Sequence, residues 1–208
     1  WCNPQKVAYG NDQATKLKML EEDDLGQIYG AQMRYFNDPM AVTTCLTDGV
    51  CQSIDQLQKV LNTLETNPDD RRMVVSYWNP LALAYQALPA CHLSWIVNVV
   101  DGKINLSYYM RSCDFLIGNN LNSYGLLLHL LSIHSGYEAG VLTGFFHDTH
   151  IYEDQVGVAE ELAVRGSYEL PTIETDLSYG GDILQWDHTK SKIKNYKSHA
   201  GVKINIAV

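Results

Sequence analysis

A mixed-sheet fold of the α/β or α+β class is what the sequence predicts, and three stretches predict it. Residues 53–66 (SIDQLQKVLNTLET) set Ile54, Leu57, Val60, Leu61 and Leu64 at helical spacing behind Ser53, a candidate N-cap. Residues 71–78 (RRMVVSYW) and 93–100 (LSWIVNVV) are short runs rich in β-branched and aromatic side chains, and Asp101-Gly102 turns the second of them into residues 104–110 (INLSYYM). That pattern is a hairpin. Residues 121–135 form a mostly apolar helix ending at Gly136, a residue suited to a left-handed cap. Residues 202–208 (VKINIAV) read as a terminal strand or extended tail. Helices and strands alternate without a strict βαβ rhythm, which favours a mixed sheet with packed helices over a doubly wound one.

The size and composition fit this class. A chain of 208 residues with 46% hydrophobic and 19% charged residues can organise one core, and no linker or repeat divides it, so residues 1–208 are expected to be a single domain. The net charge of -9 argues against a surface that coats nucleic acid; a phosphate bound here needs a local basic site. The longest apolar run, residues 126–131, is too short for a membrane span. Five cysteines without a CxxC pair indicate neither a disulfide framework nor a zinc ribbon, and a reducing cytoplasm is the expected location. No GxxxxGK[ST] or GxGxxG loop is present, which removes the usual support for triphosphates and dinucleotides. The start, Trp1-Cys2-Asn3-Pro4, has no signal-peptide character.

Three constellations could carry chemistry. Cys91, in Leu88-Pro89-Ala90-Cys91-His92, is either a nucleophile beside an imidazole or a small buried hydrophobe. Arg111-Ser112-Cys113-Asp114 offers a guanidinium fork and a hydroxyl to a phosphate monoester, or an ordinary salt bridge. In Asp148-Thr149-His150-Ile151-Tyr152, an extended backbone would project His150 and Tyr152 from one face, where both could hydrogen-bond a sugar hydroxyl; as a metal site the stretch is poor, and no metal is expected. Arg71-Arg72 alone could be a solvated pair.

Taken in order, residues 24–30 (DLGQIYG), Asp70-Arg71-Arg72, Pro89-Ala90-Cys91-His92, residues 111–114, residues 148–152 and the terminal residues 199–208 resemble the thymidylate synthase family. The resemblance covers the whole chain. It implies a thymidylate synthase-like fold, a sheet-to-sheet homodimer, and methylenetetrahydrofolate as co-substrate for the methylation of deoxyuridylate. By the same resemblance Cys91 matches the nucleophile that adds to C6 of the pyrimidine, with His92 beside it and Tyr29 in a proton-transfer network. Arg111, Ser112 and, from a partner subunit, Arg71 and Arg72 match the phosphate ligands. Asp114 resembles the residue that holds the folate pterin, His150 and Tyr152 those that bind the deoxyribose hydroxyl, and Val208 the residue whose carboxylate end closes over the folate.

The pattern also departs from the family. Met110 stands where the family has Gln, as in phage deoxycytidylate hydroxymethylases, which keeps a 5-hydroxymethyl product in view. The loop after Gly118 is about two residues short, so the base-reading Asn is Asn120 if the deletion lies in the loop and Asn122 if it lies in the helix; loops accept deletions more readily, which favours Asn120. Trp1 looks like the family's active-site Trp, which leaves the family's N-terminal Arg and proton-relaying Glu outside this sequence. The expectation is a chain without that segment, crippled if nothing precedes Trp1. A non-catalytic nucleotide- or RNA-binding relic of the fold is the rival from another class.

Overall fold

The computed structural model describes residues 25–36, 53–178 and 180–204. Two helices come first, α1 (Tyr29–Arg34) and α2 (Gln56–Thr66). The latter starts later than its periodicity suggests, because Asp55 caps it: its carboxylate accepts from the Gln58 N–H at 2.9 Å and also pairs with Arg34 at 2.8 Å. Ser53 is therefore not the N-cap. The shorter capping side chain loses to a carboxylate that satisfies a free N–H and favours the helix dipole.

One four-stranded sheet runs in the order β1 (Val74–Ser76), β2 (His92–Val100), β3 (Lys103–Asp114) and β4 (Glu138–His150). Strand β1 is shorter than the expected 71–78, and Arg71 and Arg72 sit in the turn that precedes it. The hairpin is present. Asp101 and Gly102 both take positive φ, 51° and 74°, and this paired left-handed geometry matches the twist of the flanking strands. Strand β3 continues four residues past Met110, so residues 111–114 are strand rather than its exit.

Helix α3 (Asn119–Ser135) then crosses the sheet to β4, which pairs parallel to β3. Sheet pairing is otherwise antiparallel, giving the mixed sheet the pattern predicted. The sequence did not reveal β4, whose glycines and polar residues weaken a strand signal. One of those glycines is required: a Cβ on Gly144 would lie 2.6 Å from the Tyr108 hydroxyl that crosses it. Gly136 caps α3 at φ 79° as expected. Helix α4 (Val156–Ala163) and a two-stranded sheet of β5 (Thr172–Glu174) with β6 (Lys192–Lys194) complete the described elements. Residues 201–204 carry no regular structure, and the rest of the predicted terminal strand lies outside the described residues.

The core lies on one face of the large sheet. Leu57, Val60, Leu61 and Leu64 of α2 and Leu128 and Leu131 of α3 pack over Val75, Trp95, Val97, Leu106 and Tyr108. Burying one such leucine stabilises the fold by roughly 1.5–3 kcal/mol. The opposite face is uncovered and apolar: Val74 pairs with Ile96, and Tyr109 stacks on Phe145 with centroids 4.9 Å apart. Val74 and Phe145 are 44% and 48% exposed, large apolar side chains on a face that no described element covers. Among the described residues, no helix is long and apolar enough to cross a membrane.

Candidate active site

Cys91 sits where the loop from residues 79–90 enters β2, and that entrance is pinned by buried amides. Gln32 of α1 donates to the Gln27 carbonyl at 2.9 Å, Asn79 donates to the Gln32 side chain at 3.1 Å, and Gln86 donates to Gln27 at 2.7 Å. These bonds hold α1 against the loop. As a result Tyr29 reaches across, and its hydroxyl accepts the Cys91 N–H at 3.0 Å.

Arg111 closes the other side. Its N–H donates to the Cys91 carbonyl at 2.9 Å, and its guanidinium donates to the carbonyls of Ala90 and Pro89, each at 2.9 Å. The same guanidinium lies 3.9 Å from Cys91 Sγ and 5.9 Å over the Trp78 ring. This rigid fork is what an arginine can provide and a lysine cannot. The positive charge thus faces the Cys91 sulfur.

His92 forms the inner wall. Only 9% exposed, it meets the Tyr29 ring edge-on at 4.9 Å, its Nδ1 lies 2.9 Å from the Tyr124 hydroxyl, and the Asn120 side chain also hydrogen-bonds it. Burial holds its pKa below the usual imidazole range, against the opposing pull of Asn120. The neighbouring phenols shift the other way: burial pushes Tyr77 up to about 12 although Trp95 donates to its hydroxyl, and burial raises Tyr124 as well. Near neutral pH this wall presents an uncharged imidazole among protonated phenols. It offers hydrogen bonds without charge, and the positive charge comes from Arg111.

A second group follows from the register of β3 and β4, which pairs Ser112 with Asp148 and Asp114 with His150. Asp114 uses one carboxylate oxygen to accept the Leu116 N–H at 3.0 Å. His150 Nδ1 is 3.6 Å from Asp148, and the rings of His150 and Tyr152 meet edge-on at 5.1 Å. Strand β4 stops at His150, so the two rings meet around the strand end rather than by simple alternation. Cys113 lies between the groups, its thiol pushed up by burial, by Asp114 and by Cys91.

The predicted residues divide accordingly. Tyr29, Cys91, His92, Arg111 and Asn120 form one connected cluster, and Ser112, Asp114, His150 and Tyr152 assemble at the adjoining strand ends. Asn122 is not in the cluster: it is exposed and lines a cleft of about 660 Å³ with Phe115, Ile151, Val156 and Glu160. Arg71 and Arg72 are exposed, and the bond from the Val97 N–H to the Met73 carbonyl fixes the end of their turn beside the second half of β2. Val97 is six residues along the chain from Cys91, roughly 20 Å. Trp1 and Val208 lie outside the described residues. Sequence reasoning missed Tyr124 and Trp78; Tyr124 stands four residues after Asn120, one turn along the same helical face, a spacing that links it to the site.

Comparison with known proteins identifies the family. The family described as "Thymidylate synthase" matches residues 5–208. A thymidylate synthase of Corynebacterium aurimucosum is 34% identical over 210 residues, which cover 100% of this chain and 72% of that protein. A bifunctional dihydrofolate reductase-thymidylate synthase of Paramecium tetraurelia is 32% identical over 194 residues, 92% of this chain and 41% of that protein. The chain thus spans less than half of the bifunctional relative.

Proposed function

The chain belongs to the thymidylate synthase family, and from that premise we propose that it methylates C5 of deoxyuridylate to give thymidylate through a covalent bond between Cys91 and C6. The observation that carries this reading is the grip on Cys91: Arg111 braces the carbonyls on both sides of Ala90 while its charge faces Sγ, and Tyr29 holds the amide.

In this mechanism the sulfur forms a bond to C6, and the electron pair of the C5–C6 double bond moves onto C5 and O4, making C5 a carbon nucleophile. Methylenetetrahydrofolate, when bound, supplies the one-carbon unit and, for a methyl product, the hydride. Asp114 suits its pterin: a half-buried carboxylate with one oxygen beyond its bond to Leu116, flanked by exposed Phe115 and Ile117, offers an acceptor and apolar ring contacts. Trp1 and Val208 are assigned to the same ligand by the family resemblance. Neutral His92 and Tyr29 would move protons near O4 and C5; loss of the C5 proton breaks the carbon–nitrogen bond to the folate and leaves an exocyclic methylene on the ring, and hydride adding to that carbon expels Cys91 and restores the ring double bond. Arg111 and Ser112 take the phosphate, Asn120 reads the base, and His150 and Tyr152 bind the sugar hydroxyl.

Arg71 and Arg72, in the turn before β1, lie too far from Cys91 to reach the phosphate of their own site. They fit a homodimer in which each subunit lends them to the other, and the uncovered sheet face with Val74, Tyr109 and Phe145 is the surface on which such a dimer would form.

A second reading has a specific support. Met110, buried opposite His92, offers no polar group where the family has Gln, and a water that ends the reaction in place of hydride gives a 5-hydroxymethyl nucleotide. Product identification after incubation with deoxyuridylate and methylenetetrahydrofolate decides between them. Thymidylate with an equal amount of dihydrofolate is the expected result. A 5-hydroxymethyl nucleotide with tetrahydrofolate would replace the methyl assignment, and no turnover with nucleotide still bound would favour the binding relic.

A further inference from the structure

We propose that Tyr124 is a positioning residue that sets base specificity: its hydroxyl donates to Nδ1 of His92, holds the imidazole as the Nε2–H tautomer, and thereby orients the Asn120 amide. This rests on the reading of Asn120 as the residue that meets the base.

The geometry supports the contact between Tyr124 and His92 on which the rest depends. Tyr124 is 4% exposed and clamped, its ring stacked on Tyr108 with centroids 3.9 Å apart and planes 14° from parallel. Its oxygen cannot wander from His92, 2.9 Å away. Burial keeps the phenol protonated and the imidazole neutral, so the pair holds one hydroxyl donor and one ring nitrogen able to accept. When Nδ1 accepts, Nε2 carries the hydrogen. Nε2–H can only donate, and in this arrangement it meets the Asn120 side chain, the ring's other hydrogen-bond partner. Asn120 therefore turns its carbonyl oxygen to the ring and its NH2 group away.

That orientation discriminates between bases. Uracil presents O4 as an acceptor and N3–H as a donor, so the amide NH2 donates to O4 while its oxygen, with two lone pairs, accepts from both Nε2–H and N3–H. Cytosine presents an amino group where uracil has O4, and two NH2 groups then face each other. Rotating the amide to suit cytosine would aim NH2 at Nε2–H. The cost falls on the tautomer that Tyr124 maintains.

The Tyr124→Phe variant keeps the stack on Tyr108 and deletes only the oxygen, leaving Nδ1 without a partner in either tautomer. The test uses the chain labelled with 15N-histidine, with the His92 signals identified by their loss in His92→Asn. Two-bond proton–nitrogen spectra without ligand read the tautomer, and the dissociation constants of deoxyuridylate and deoxycytidylate read specificity. The expected result is a single Nε2–H tautomer in the wild type, a mixture in Tyr124→Phe, and a fall of about tenfold in the preference for deoxyuridylate. A wild type in the Nδ1–H form, or a variant that keeps the single Nε2–H tautomer, overturns the proposal. A tautomer mixture with an unchanged nucleotide ratio refutes the link to specificity. Failure of the wild type to bind either nucleotide would instead refute the reading of Asn120 and the specificity claim with it, while the tautomer still decides the positioning role.

Discussion

Cys91→Ser is expected to lower turnover by more than about a thousandfold while leaving nucleotide affinity within about tenfold of the wild type. An alcohol near neutral pH is a far weaker nucleophile than a thiolate. The residues proposed to hold the nucleotide are elsewhere, on β3, α3 and the end of β4. The Tyr29 hydroxyl and the Arg111 backbone N–H bond the backbone of residue 91, so the substitution should not disturb them; only the guanidinium contact with Sγ changes. Steady-state rates together with equilibrium titration of deoxyuridylate separate the two effects. Substantial turnover in the serine variant would exclude the covalent route.

Arg111→Ala should produce the second-largest loss, and it should show in both affinity and rate. Removing a charge-assisted fork to a phosphate costs on the order of 1.5–3 kcal/mol, roughly a ten- to hundredfold weaker affinity. The same change frees the carbonyls of Pro89 and Ala90 and removes the cation beside Sγ, so kcat should fall as well. Arg111→Lys should restore little, because an ammonium cannot brace two carbonyls and lie over Trp78 at once. The comparison that checks the phosphate role is deoxyuridine against deoxyuridylate. If both bind the variant and the wild type in the same ratio, the phosphate is held by another group.

Much of this was legible in the sequence, for reasons that are local. The leucines of α2, the Asp101-Gly102 turn and the Gly136 cap each announce themselves within a few residues. Strand β4 did not, since its strand character comes from pairing with β3 rather than from its own side chains. Cys91, Arg111 and the strand ends at 112–114 and 148–150 were marked by motif and order, yet no motif says that Arg111 spends two bonds on the loop before Cys91. The choice between Asn120 and Asn122 was left to where a deletion falls. The fold separates them, with one on the ring of His92 and the other facing the cleft beside α4. Tyr124 stayed hidden because a tyrosine in an apolar helix looks like core until its hydroxyl is seen to meet a buried imidazole.

The covalent bond at Cys91 is the centre of the account, and an intact-mass measurement reaches it directly. A deoxyuridylate carrying fluorine at C5 has no C5 proton to release, so a reaction that begins with attack on C6 should stop with the nucleotide still bonded to sulfur. The chain incubated with this analogue and methylenetetrahydrofolate is expected to gain the mass of both, in a peptide containing Cys91, and Cys91→Ser should gain neither. An unmodified mass for the wild type under saturating ligand, or an adduct on any other residue, would contradict the assignment of Cys91 as the nucleophile.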